Sequence, residues 1–152
     1  MNKTACSLGV GAALVGALLT PGTAHASWQS AHQGIHVVWH NQTYCDLRLT
    51  DGEVSEGLWD EIPPLGILAR SDAIFSAESV SADAGGSVGT IAYTSEDCDN
   101  PLHDNLQLRF NWEYLESGEV SQDFTGTAPS FNTFFTGGGQ SSRVVHAFFQ
   151  EL

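Results

Sequence analysis

From Ile35 onward the chain alternates apolar and polar residues with a period of two. The cleanest run is Leu106–Tyr114. Leu106, Leu108, Phe110, Trp112 and Tyr114 fall on one side, and Gln107, Arg109, Asn111 and Glu113 on the other. That pattern predicts a half-buried antiparallel strand. Arg143–Phe149 alternates less sharply, with both sides partly apolar, as a central strand does. Ile35–Trp39 and Tyr44–Leu49 flank His40-Asn41-Gln42-Thr43, which reads as a hairpin loop; Cys45, Leu47 and Leu49 share the inward side of the second strand. Ser87–Tyr93 is a further β-branched and aromatic run. Leu65–Ala69, Ala73–Ser79 and Phe131–Phe135 are shorter candidates. Asp51-Gly52, Pro63-Pro64, Asn100-Pro101, Ser117-Gly118, Ala128-Pro129 and Gly137-Gly138-Gly139 supply the turns. No window carries a convincing helical stripe. The prediction is one all-β domain, an antiparallel β-sandwich of seven to nine strands.

Residues 1–26 follow another rule. One cation, Lys3, precedes an apolar run from Ala5 to Leu19, and Ala24-His25-Ala26 has the small residues that a signal peptidase accepts. The run is shorter than the roughly 20 residues that span a bilayer. It reads as a secretory signal, leaving 27–152 as the sandwich domain of an extracellular protein. Removal of Lys3 leaves four arginines against eighteen carboxylates, a net charge of −14. So acidic a chain excludes a nucleic-acid footprint and docking through a polybasic face. Export also leaves two cysteines, Cys45 and Cys98. One disulfide closing a loop of about 53 residues is expected, worth about 3–4 kcal/mol; two free thiols are the alternative.

The chemistry-bearing residues are sparse. No enzyme activity is expected from them. Among the histidines, His36 and His40 share a strand side but stand about 13 Å apart along an extended chain. His32, His103 and His146 likewise read as structural or surface residues. Glu96, Asp97, Asp99 and Asp104 gather in one loop without the spacing or glycine of an EF-hand. A solvated acidic turn is the expectation there, with calcium the alternative; no cofactor or metal is predicted. Asn41-Gln42-Thr43 is a glycosylation sequon. Aromatics at turns and strand ends stand out: Trp59, Trp112 with Tyr114, and Phe131, Phe134 and Phe135. Such rings suit a membrane boundary or a sugar face, with core filling the alternative for each.

Three segments carry a family resemblance: Gly57-Leu58-Trp59-Asp60-Glu61-Ile62-Pro63-Pro64-Leu65-Gly66-Ile67, Arg70-Ser71-Asp72-Ala73, and Gly86-Ser87-Val88-Gly89-Thr90-Ile91-Ala92-Tyr93. Together with the strand Phe110-Asn111-Trp112 and the glycine turn before the last strand, they resemble the aegerolysins and related insecticidal crystal toxins. The resemblance implies a compact, actinoporin-like sandwich that binds particular membrane lipids. It implies zwitterionic lipids as partners, which suits the net charge, and Trp59, Trp112 and Tyr114 as lipid-contacting residues. The sequence departs from the family in its Cys45/Cys98 pair and in Glu113-Tyr114-Leu115-Glu116 after the Trp strand. A small extracellular domain that binds a protein or a glycan is the other reading.

Overall fold

A computed structural model describes residues 34–80, 86–114, 120–138 and 143–152. The leader assigned to residues 1–26 lies outside them. Ten strands form two five-stranded sheets: β1 Gly34–Asn41, β2 Asp46–Glu56, β3 Leu58–Glu61, β4 Gly66–Ile67, β5 Asp72–Glu78, β6 Val88–Glu96, β7 Gln107–Tyr114, β8 Val120–Asp123, β9 Phe131–Gly137 and β10 Val144–Glu151. One sheet runs β3-β5-β1-β10-β9, the other β4-β2-β6-β7-β8. The only helical turn among the described residues is the 3-10 turn Pro101–His103.

Alternation sets each strand's inward side. Ile35, Val37 and Trp39 from β1 and Val145, Ala147 and Phe149 from β10 meet Leu47, Ile91, Tyr93, Leu108, Phe110 and Trp112 of the other sheet in one core. At its centre Trp39 stacks on Phe149, centroids 3.9 Å apart, and crosses to Tyr93 at 4.9 Å. Tyr93 is fully buried and its hydroxyl donates to the Pro64 carbonyl at 2.9 Å. Burial raises its pKa above the tyrosine value of 10.0. The neutral phenol's contribution is therefore complete below about pH 10 and is lost as pH rises through and beyond it. Tyr93→Phe should cost about 1 kcal/mol at neutral pH and flatten the alkaline fall in stability, measured by urea unfolding between pH 8 and 11.

The sheets correct the sequence reading in five places. Among the described residues there are ten strands, not seven to nine. β1 and β10 pair in parallel, whereas every other pairing is antiparallel. The segments expected to form a hairpin across His40–Thr43, β1 and β2, enter opposite sheets. Asp51-Gly52 is no turn: it continues β2 past a bulge at Thr50, the residue left over where Leu49 faces Tyr93 and Asp51 faces Ala92. The stretch around Trp59, read as a turn, is the edge strand β3, entered through Gly57 at φ 109°.

The expected covalent link is present, Cys45–Cys98 with a Cα separation of 4.0 Å. Gly89 explains part of the glycine motif. A Cβ there would stand 2.3 Å from the Trp112 indole, so glycine lets that ring lie against β6.

Candidate functional site

The two outer faces of the sandwich differ. On the sheet containing β2, outward positions carry Arg48, Glu53, Glu96, Arg109, Asn111, Glu113 and Asp123. On the sheet containing β1, alternation turns His36, Val38 and His40 outward, beside Val144, His146 and Phe148 of the parallel neighbour β10. Phe134 of the edge strand β9 pairs with Phe148, and Ile74 of β5 pairs with Val38. The result is a half-exposed face made mainly of aliphatic, phenyl and imidazole groups; Phe134, Ile74 and Val144 are each about 40% exposed.

Its rings form a ladder. Phe134 stacks on Phe148 at 4.5 Å with planes 6° apart, and Phe148 stacks on His40 at 4.4 Å and 14°. At the end of the ladder Asp72 Oδ1 lies 2.8 Å from His40 Nδ1, and His40 Nε2 lies 2.9 Å from His146 Nδ1. The carboxylate accepts the Nδ1 proton of neutral His40, which leaves Nε2 to accept from His146. The sequence reading weighed His40 only beside His36 and did not join it to His146. The two histidines are 106 positions apart and meet only through the parallel pairing of β1 with β10.

His40 and Asp72 also line a cleft of about 640 Å³, together with Gln42, Tyr44, Arg70 and Glu151. Arg70 adopts φ 58°, unusual for a side chain of its size; a residue in that region costs about 1–3 kcal/mol unless its surroundings hold it there. Here Arg70 N–H donates to Thr43 O at 3.2 Å and Nη1 to Gln42 O at 2.8 Å. Its guanidinium lies 4.8 Å over the Tyr44 ring, which is 51% exposed. Glu151 Oε2 accepts from Tyr44 N–H at 3.2 Å. The cleft thus presents a cation, two carboxylates and an open aromatic edge within one rim.

The aromatic residues singled out from the sequence sit elsewhere. Trp112 is 2% exposed, its indole N–H donating to Ser87 Oγ at 3.1 Å, and Tyr114 is 4% exposed. Both occupy buried positions of β7: Trp112 packs against Trp59 and Phe75 of the other sheet, and the Arg143 guanidinium lies 5.8 Å over the Tyr114 ring. Trp59 is partly buried, edge-on to Phe75 at 6.0 Å and 5.6 Å from Trp112. Of the phenylalanines, Phe131 is buried and Phe134 and Phe135 are exposed. The acidic loop is partly committed: Asp104 Oδ1 accepts from Cys98 N–H at 2.9 Å, and Asn100 caps the 3-10 turn.

The fold is shared with solved structures. RahU in complex with TRIS superposes with a TM-score of 0.61 at 12% identity, covering 79% of this chain and 96% of its own. IP-1A from Alcaligenes faecalis gives 0.59 at 12% identity, covering 78% and 91%. The lipid binding protein Nakanori gives 0.58 at 13% identity, covering 78% and 70%. These are aegerolysin-type proteins, so the likeness agrees loosely, at the level of fold, with the resemblance in sequence. No protein-family model matches the chain, and neither does any curated protein.

Proposed function

We propose that this is an exported lipid-binding protein that meets a membrane with the outer face of the β1-containing sheet and takes a zwitterionic headgroup at the Tyr44–Arg70–Asp72 cleft. The observation that carries the reading is the ladder Phe134–Phe148–His40 running into that cleft. A phenyl surface suits the apolar side of a bilayer interface, and the adjoining cation, carboxylates and open aromatic ring suit a headgroup bearing both charges. The many carboxylates on the opposite face oppose adsorption to anionic lipid, so net-neutral headgroups are favoured. A lipid binding protein among the structural neighbours supports the same direction.

The test is sedimentation with vesicles of sphingomyelin, phosphatidylcholine or phosphatidylserine. Binding to the first or second should fall at least tenfold in Phe148→Ala and in Arg70→Gly, the latter keeping the backbone conformation without the guanidinium. No sedimentation with any of the three would remove the proposal. Binding that is unchanged in both variants would move the contact surface elsewhere. The exposed Tyr44 ring, in a cleft that Gln42 and Gln150 also line, suits a sugar too, and glycan binding without vesicle binding would select that second reading.

A further inference from the structure

Beyond the cleft, one group of potential metal ligands is found among the described residues. The sulfurs of Cys45 and Cys98 and a carboxylate oxygen of Glu151 lie within 4.8 Å of one another. Glu151 Oε1 is 3.4 Å from Cys45 Sγ and accepts a hydrogen bond from His103 Nδ1 at 3.0 Å. In the oxidised protein the sulfurs are spent on each other, and Glu151 holds the Tyr44 amide and the His103 ring beside them. Reduced, the same three groups would be two thiols and a carboxylate in a partly buried pocket, and a bound cation would draw off both thiol protons and hold three negative ligands together.

The surrounding frame does not depend on the sulfur–sulfur bond. Cys45 N–H donates to Thr43 Oγ1 at 3.1 Å, and Cys45 O accepts from Asn41 Nδ2 at 2.9 Å. Cys98 N–H donates to Asp104 Oδ1, and Asp99 N–H donates to Tyr44 O at 3.3 Å. Glu151 is fixed by its place on β10 and by the Tyr44 amide. The Glu151 oxygen stands 3.4 Å from Cys45 Sγ, near the roughly 3.6 Å that metal–sulfur and metal–oxygen bonds of about 2.3 and 2.1 Å set between such atoms; the two sulfurs, bonded here, must part to roughly 3.8 Å to share a tetrahedral ion.

We propose that reduction of Cys45–Cys98 opens a site for a thiophilic divalent cation of the zinc class, held by Cys45, Cys98 and Glu151. An external dithiol supplies two electrons and two protons, becoming a disulfide as Cys45 and Cys98 become thiols. The incoming M²⁺ displaces those two protons and binds both thiolates and the Glu151 carboxylate, leaving a fourth position for water. His103 is a positioning residue, orienting Glu151 through their hydrogen bond. The redox state of one bond then decides whether this end of the sandwich is pinned covalently or by metal. The proposal does not rest on the lipid reading, although the two share Glu151, which also lines the cleft.

The test uses the full chain, reduced with a dithiol, freed of it under argon and titrated with Co²⁺ alone. A thiolate-to-cobalt charge-transfer band saturating at one equivalent is expected, and zinc should bleach it. Unreduced protein should show no band. Glu151→Gln and His103→Ala should each weaken cobalt binding about 10–100-fold, while the band, whose sulfurs remain, keeps its position. Cys98→Ser should abolish the two-thiolate band. Lack of a band in reduced protein that keeps its β-sheet circular dichroism would overturn the proposal. So would affinities in Glu151→Gln and His103→Ala equal to the parent. Should reduction unfold the chain, the proposal requires zinc to restore the sheet signal, and failure to do so counts equally against it.

Discussion

Trp39→Ala should lower the unfolding free energy by about 3–5 kcal/mol, and Trp39→Phe by less than about 1.5 kcal/mol. Trp39 is fully buried at the meeting of both sheets, in contact with Phe149 and Tyr93. Alanine leaves a cavity between two sheets whose backbones are held by their own ladders and cannot collapse to fill it. Phenylalanine keeps most of the stacking surface. It also removes the indole N–H, which is buried without a hydrogen-bond partner and so carries a desolvation cost in the native protein. That relief offsets part of the lost volume. Urea unfolding of the three proteins measures both differences; equal losses for the two variants would contradict the packing described.

Asn41→Ala should cost roughly 3–4 kcal/mol, a large effect for removing one polar side chain. Asn41 is 1% exposed. Its amide group donates to Cys45 O and to Leu68 O, both at 2.9 Å, while its oxygen accepts from Thr43 N–H at 3.2 Å and Thr43 Oγ1 at 2.6 Å. Alanine would strand several buried backbone groups together, each costing about 1–3 kcal/mol when unpaired. The same side chain ties the end of β1 to the segment that carries Arg70 and Asp72, so vesicle binding should weaken along with stability. Both amide hydrogens are used inside the fold, so the sequon at Asn41 offers no free nitrogen to a glycan once the chain has folded. Urea unfolding checks the stability loss; a cost below about 1 kcal/mol would contradict this network.

What the sequence made legible follows from how local each cause is. The inward positions of β7 were readable because period-two alternation over 107–114 is set by neighbouring residues alone. The disulfide was readable because the leader expected at 1–26 would take Cys6 with it, and the two cysteines then left have one pairing. The sheet partners were not. Asn41 turns the chain between layers through a side-chain network that resembles an ordinary loop in sequence, and the parallel contact of β1 with β10 joins residues more than a hundred positions apart. For that reason the His40–His146–Asp72 cluster escaped, although each residue was in view. The burial of the aromatics was hidden for a related reason: Trp112 and Tyr114 end their strand in sequence, yet both are buried, Trp112 against Trp59 and Phe75 of the other sheet. Phe134, flagged only as one of a group, lies on the exposed face through its pairing with Phe148.

The central claim is that the outer face of the β1-containing sheet is the working surface, and hydrogen–deuterium exchange with and without sphingomyelin or phosphatidylcholine vesicles tests it most directly. Added lipid should slow exchange in β9 and in the segments around residues 42–44 and 68–72, leaving β2, β7 and β8 unchanged. Protection confined to β2, β7 and β8, or no protection anywhere, would contradict the account.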